Sequence, residues 1–304
     1  MAGNFKIPTV VDQNLAFVRK NQRFLDQTNV SIASGKQYQD YKGYAEKRNI
    51  ESLTILSSRM SDIDSFKRAN MVAKNELDTS DYAISRIQTI ATNLSSLLTK
   101  RRSATGESVP FNTETTKMLE EIASVLNTRE NGNYIFSGSK TNVAPVDKSA
   151  ILSTTLDSND TPTDVYYRGD NEQASVRLND TEELEYGVNA NNSAFQNLIG
   201  AIHLARSGDS SNNFLTLGNA VTLLNDTISE LASMRSTVRK DSELVTNNQQ
   251  QLDDLQNLLR KKLTTIQDTD IVEASSRLSE LETQMQASFY ALARLSQISL
   301  TSFL

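Results

Sequence analysis

The sequence has no cysteine in 304 residues. That excludes a disulfide framework, a thiolate metal site and a cysteine nucleophile. Tryptophan is also absent, and there are only 4 prolines and 11 glycines. A chain so poor in residues that punctuate compact, many-stranded folds favours long uninterrupted helices. The single histidine, His203, has no clustered acids beside it, which leaves little basis for a metal or general-base role. It reads as a helix-surface residue. Gly-x-Gly-x-x-Gly, P-loop, Gly-x-Ser-x-Gly and His-Glu-x-x-His spellings are all missing, so neither phosphate cradling nor the common hydrolytic chemistries have support. The expectation is a non-enzymatic protein with no cofactor and no bound metal.

There is no apolar run of membrane-spanning length and no basic-then-apolar leader, so neither a membrane partner nor Sec-type export is expected. Net charge is −6 with a pI near 5.1. The tightest basic cluster, Lys100-Arg101-Arg102, reads as a solvated helix end, and nucleic acid is not an expected partner. With 38% hydrophobic residues the chain can still build a real core.

What the sequence does have is a seven-residue apolar repeat at both ends that is absent from the middle. Near the C-terminus, alternating steps of four and three place Ala274, Leu278, Leu281, Met285, Ser288, Leu292, Leu295 and Ser299 on one seam, with Phe289 and Ile298 beside it. Upstream, the same steps run from Leu224 through Leu231, Arg235, Val238, Val245, Leu252 and Leu259 to Ile266 without proline or glycine. Such a helix would reach roughly 70–80 Å. The N-terminal half mirrors it with Leu15, Val18, Gln22, Leu25, Asn29 and Ile32, then Leu53 to Ile63, then Leu77, Ile84, Ile87, Leu94 and Leu98. A further helix is expected over about 113–129. Between the first two stripes, Ser34-Gly35-Lys36 and a tyrosine-rich stretch around Gly43 read as a joint.

From about Gly132 to Phe195 the periodicity stops and short β-favouring runs appear. Val165-Tyr166-Tyr167 and Ala174 to Leu178, separated by Arg168-Gly169-Asp170-Asn171, predict a hairpin, so that turn chemistry explains the Arg-Gly-Asp spelling better than adhesion does. Asp270 with Glu273 has capping-box spacing, which starts a helix there and accounts for Asp268-x-Asp270 better than a cation site. The glycosylation-type spellings at Asn93 and Asn225 fall within expected helices and carry little information.

The fold class that follows is mainly α: an elongated helical rod with an N- and C-terminal coiled coil and a small β-rich inserted domain. Its expected divisions are 1–42 with 268–304 as a terminal coiled-coil assembly domain, 43–132 with 196–267 as a helical rod, and 133–195 as the insert. Burying one leucine of the terminal seam contributes about 1.5–3 kcal/mol. Ordering the backbone costs about 1–2 kcal/mol for every residue of the helix, apolar or not, so the seam needs a partner surface. The two terminal stripes can supply it for each other, but Phe17, Phe24, Phe289 and Ile298 are left on adjoining faces. Further copies of the same ends are expected to cover them. The expected assembly interface is Leu15, Val18, Leu25, Ile32, Leu278, Leu281, Met285, Phe289, Leu292, Leu295 and Ile298.

Matched helical ends around an insert, with Ser34-Gly35-Lys36 after the first helix, Asp268-x-Asp270 before the last, and Leu295-Ser296 to Ser299-Leu300 near its close, resemble the flagellin family. Asn131-Gly132-Asn133-Tyr134-Ile135-Phe136-Ser137-Gly138-Ser139-Lys140-Thr141 and Tyr167-Arg168-Gly169-Asp170 are similar to stretches of its hook-associated members, the kind that joins hook to filament. The turn after Ser-Gly-Lys departs from the family's Asp-Asp pattern and reads Gln37-Tyr38-Gln39-Asp40-Tyr41-Lys42-Gly43-Tyr44.

The resemblance implies a structural subunit exported unfolded through the flagellar type III apparatus and built into the extracellular flagellum. Its implied partners are further copies of itself in a ring or helical array, a hook-side junction protein, flagellin, and an export chaperone that takes the C-terminal amphipathic helix in a groove. Two alternatives stand beside it: a flagellin forming the filament itself, and, in a different class, a secreted type III coiled-coil translocator or binding protein.

Overall fold

The computed structural model describes residues 7–46, 49–103, 110–156 and 166–301; the side chains of 7–11, 41, 45, 46 and 295–301 lie outside that description. Its elements run α1 (Ile7–Ser34), α2 (Tyr41–Glu46), α3 (Ile50–Arg102), α4 (Phe111–Leu126), β1 (Arg129–Glu130), β2 (Asn133–Tyr134), α5 (Lys148–Ser153), β3 (Ala174–Arg177), β4 (Glu183–Tyr186), α6 (Ser193–Ser210), α7 (Phe214–Gln267) and α8 (Ile271–Thr301). The fold is mainly α, and the strands form two two-stranded antiparallel sheets. By internal contacts the chain divides into one unit of 1–61 with 255–304 and another of 62–254.

In the unit 62–254 the heptad stripes form the core. On α7, Leu224, Leu231, Val238, Val245 and Leu252 are all buried, and on α3 so are Leu77, Ile84, Ile87, Leu94 and Leu98. The same hydrophobic cluster takes in Leu119 and Ile122 of α4, Phe195 and Ile199 of α6, and Phe136, Val146, Tyr166 and Val176 from 133–195. Phe136 meets Phe195 edge to face at 6.1 Å. Helix α4 starts two residues earlier and ends three earlier than the expected 113–129.

Strand β3 is where the hairpin reading placed it, but its partner is different. Ala174 pairs with Tyr186 and Arg177 with Glu183. Val165 lies outside the described residues, and Tyr167 instead makes an isolated bridge with Val146. The turn that wins is held by Asn179, whose side-chain oxygen accepts from the N–H groups of Thr181 and Glu182. This Asx-type closure outcompetes a Gly-Asp turn that has other obligations.

Two polar readings also change. His203 is not a plain surface residue: its Nε2 sits 2.9 Å from the carbonyl oxygen of Ile151 in α5, and burial pushes its pKa below the ordinary value. Arg101 is half-buried and paired with Asp209 of α6, so only part of the basic cluster is a solvated end. The polar seam position Arg235 is explained by Asp81 of α3. Arg235 Nε donates to its carboxylate at 2.7 Å and Arg239 Nε at 2.8 Å, while Gln88 accepts from Arg235 Nη1 at 3.3 Å. Hydrogen bonding from Arg235, opposed by desolvation and reinforced by Arg239, holds the Asp81 carboxyl below the usual range.

In the unit of the two chain ends, α1 stops at Gly35, which adopts φ +71°, a conformation that favours glycine. The chain then crosses the α7–α8 link. Gln37 N–H donates to Gln267 O at 2.8 Å, Thr269 N–H donates to Gly35 O at 2.9 Å, and the Tyr44 hydroxyl reaches Gln267 O at 3.3 Å. Tyr38 and Tyr44 meet edge to face at 5.1 Å. The joint expected around Gly43 is therefore a clasp between two chain segments. Helix α8 begins as expected, with the Asp270 carboxylate accepting from the N–H groups of Val272 and Glu273 at 2.9 and 3.1 Å. Among the described residues, the Thr269 hydroxyl is buried with no hydrogen-bond partner.

Replacing Asp81 with Asn leaves Arg235 half-buried and short of its charge partner, and is expected to lower unfolding stability by about 1–3 kcal/mol in urea melts at pH 7. Because the folded pKa is depressed, this contribution is present above about pH 4 and is lost as pH falls through the folded value, so the variant and parent curves should converge in acid. The opposite sign is expected for Thr269→Val, which removes a hydroxyl that folding desolvates without compensation and should raise stability by up to about 1 kcal/mol. A destabilised Thr269→Val would mean that the hydroxyl has a partner after all.

Candidate assembly surface

Helices α1 and α8 pack along each other, antiparallel: the backbones of Lys36 and Asp268 form an isolated β-bridge at one end, and farther along Asn21 Nδ2 approaches Gln284 Oε1 at 3.5 Å. On α8 the seam is the one read from the heptads. Ala274, Leu281 and Ser288 are buried, and Leu278, Met285 and Leu292 are half-buried. The Ser288 hydroxyl donates to Gln284 O at 2.7 Å, which makes its burial tolerable.

On α1 the phase differs from the reading. Val18 is buried and Leu15, Leu25 and Ile32 are half-buried as expected, but Gln22 and Asn29 face solvent. Asn21 is buried in their place, and Asn14 and Thr28 are half-buried. The line toward α8 is thus Asn14, Val18, Asn21, Leu25, Thr28 and Ile32. Asn21 finds an amide across the seam, and Thr28 satisfies its hydroxyl on Phe24 O at 2.8 Å. Among the described residues, Gln22 and Asn29 have no such partners on that face.

Most of the expected interface residues therefore close on one another within the chain. The apolar side chains left pointing outward include Phe289 of the expected interface and several that were not in it. Phe17 is 46% exposed, Phe289 is 51% exposed, and Phe24, Val272 and Tyr290 are exposed as well. The side chains of Leu295 and Ile298 fall outside the described residues. Phe17 and Phe24 lie seven residues apart on one flank of the α1 seam, and Lys20 Nζ stands 5.7 Å from the Phe24 ring. Phe17, Phe24 and Phe289 were legible as flanking residues. Tyr290 and Val272 were not, because no heptad position singles them out.

In the other unit, the two stretches that resemble hook-associated proteins form one knot. The Asp170 carboxylate accepts from Ser139 N–H at 2.8 Å and from the Ser139 hydroxyl at 2.6 Å, and Asp170 N–H donates to Ser137 O at 3.1 Å. Ser139 holds the Asp170 carboxyl below its usual pKa. A Cβ at Gly138, where φ is +70°, would strike Asp170, and one at Gly169 would strike Tyr167 and Ser137. Arg168 pairs with Asp147. Both charged side chains of the Arg-Gly-Asp tripeptide are thus engaged inside the chain.

Among the described residues, no group of three or more His, Cys, Asp or Glu is arranged to hold a metal ion, and no helix is long and apolar enough to cross a membrane.

No curated protein matches the chain in sequence. Among solved structures, FlgL of Bacillus cereus aligns with a TM-score of 0.51 at 14% identity, covering 65% of this chain and 98% of that one. A protein described as a flagellar hook-associated protein from Vibrio parahaemolyticus aligns at 0.47 and 13% identity, covering 73% of this chain and 96% of that one. At these identities the first likeness is one of fold. The resemblance to the flagellin family has sequence support over a defined stretch: residues 221–304, which take in most of α7 and all of α8, match the bacterial flagellin C-terminal helical region.

Proposed function

We propose that the chain is a non-enzymatic structural subunit of the bacterial flagellum, of the hook-associated protein 3 kind, exported and built into the extracellular flagellum where hook meets filament. The observation that carries this reading is the α1–α8 pair. Its C-terminal member lies in the flagellin-type region, its seam is closed within the chain, and Phe17, Phe24, Phe289 and Tyr290 remain uncovered on its flanks. Apolar flanks of this kind on paired helices favour burial against further helices, and the nearest source of matching helices is another copy of the same ends. The fold likeness to FlgL of Bacillus cereus and the Ser139–Asp170 knot favour the junction role.

The flagellin-type region at 221–304 also supports a second reading, a flagellin that forms the filament itself. The two differ in copy number and place. In cells expressing an epitope-tagged chain, immunogold labelling should decorate a short zone at the hook tip, and cells lacking the chain should carry hooks without filaments. Label along the whole filament would replace the junction reading with the filament one, and label absent from flagella would sink both.

Leu281→Asp tests the role of the pair. A carboxylate at a buried seam position costs several kcal/mol, enough to open α1 from α8. Purified Leu281→Asp chain should keep a cooperative unfolding transition from the unit 62–254 and should fail to enter flagella. Normal incorporation would show that the pair is not the assembly element.

A further inference from the structure

We infer that the clasp around Gly35, Gly43 and the α7–α8 link, rather than the coiled-coil seam, sets the axial register of α1 against α8. The inference concerns a single chain and stands or falls independently of the flagellar reading.

The seam is a poor ruler. Along α1 its line runs Asn14, Val18, Asn21, Leu25, Thr28, Ile32, polar and apolar in strict alternation. Sliding one helix past the other by seven residues, about 10.5 Å, presents the same alternation again. A coiled coil fixes register through an unlike residue at one layer, and here every second layer of α1 is polar. The side-chain hydrogen bond from Asn21 to Gln284 across the seam spans 3.5 Å, at the outer limit for such a bond.

The clasp has no such repeat. Its two backbone hydrogen bonds, Gln37 N–H to Gln267 O and Thr269 N–H to Gly35 O, join unique points of the two chain segments at 2.8 and 2.9 Å. The Tyr44 hydroxyl adds a third tie to Gln267 O. Every one of them is broken by a slip of one heptad. Each side is also anchored locally. Gly35 turns the chain out of α1 at positive φ, Gln39 Nε2 donates to the Ser34 hydroxyl at 2.6 Å, and the Ser31 hydroxyl donates to Gln37 O at 3.1 Å. On the other side Asp270 caps α8 directly after the link.

Gly43 completes the device. Gly43 N–H donates to the Asp40 carboxylate at 3.0 Å, and a Cβ on Gly43 would fall within the ring and Cβ of Tyr38. Tyr38 follows Gln37 and packs on Tyr44, so any group added at Gly43 pushes on both residues that hold Gln267 O.

The absence of cysteine makes the test clean, since an introduced pair supplies the only thiols. Asn21→Cys is combined in turn with Gln284→Cys for the observed register, and with Arg277→Cys or Ala291→Cys for slips of one heptad either way. The purified full-length chains are oxidised and the intramolecular cross-links quantified by mass spectrometry. The parent should favour the 21–284 link. Gly43→Ala should raise the slipped fraction on the order of tenfold, the equivalent of about one net hydrogen bond, and Tyr44→Phe by a smaller factor. If Gly43→Ala loses helix content by circular dichroism, Tyr44→Phe decides alone. Retention of the 21–284 link only, in both variants, would return register to the seam. Equal cross-linking of all three pairs in the parent would mean that the pair has no fixed register, and would overturn the inference as well.

Discussion

The constraint on which the terminal unit depends is that a two-helix seam can bury only one narrow stripe of each helix. An apolar stripe facing a single partner covers the seam positions and leaves the flanks wet. In α8 the stripe contains Leu278, Leu281, Met285 and Leu292, and in α1 Val18, Leu25 and Ile32 alternate with Asn14, Asn21 and Thr28, with the half-buried Leu15 beside them. Phe17, Phe24, Phe289 and Tyr290 cannot be reached by that contact. Burial of the seam and exposure of the flanks are thus one geometric fact, and the flanks are where another molecule has apolar surface to gain.

The unit 62–254 meets the same constraint differently. There α3 and α7 share one core with α4, α6 and the residues of 133–195, although Met71, Val72, Tyr82, Phe214, Leu215 and Leu244 stay exposed. Where the α7 seam turns polar, at Arg235, an acid on α3 answers it. A polar seam position is stable when a charge partner is built opposite, and in this unit Asp81 serves two arginines at once. At the polar position Asn21, the α1–α8 pair offers the long amide contact with Gln284 and no charge.

Much of this was legible in the sequence because heptad spacing records burial directly. The α7 and α8 stripes were placed residue by residue, and the Asp270 cap followed from a local rule. The phase of α1 was not legible for a specific reason: Gln22 and Asn29 are as polar as Asn21 and Thr28, so hydropathy cannot choose between them. The choice rests on Gln284 across the seam and on a carbonyl within α1. The partner of β3 was misread because Arg168-Gly169-Asp170-Asn171 is a good turn by composition. Its Asp170 is already committed to Ser139, thirty-one residues away in sequence. Helix α6 announces itself through no heptad, because its core contacts come from several elements. The assembly role of the outward residues is carried by the function proposed above; the fold itself explains only why they are uncovered.

A seam that is half polar on one side has a consequence for how such a pair can be used. Leucine at Asn14, Asn21 and Thr28 would tighten the pair, but it would also stabilise any helix of similar pattern and any slipped register equally well. The polar layers lower the affinity of α1 for α8 and discourage uniform apolar partners. A tie that does not repeat along the helix then has to supply what the seam gives up. Gly35 and Gly43 supply it by geometry: one turns the chain at positive φ, and the other leaves room for Tyr38 where any side chain would intrude. Weak, tolerant contact along the helices and sharp definition at one end are separable tasks, and this chain assigns them to different residues.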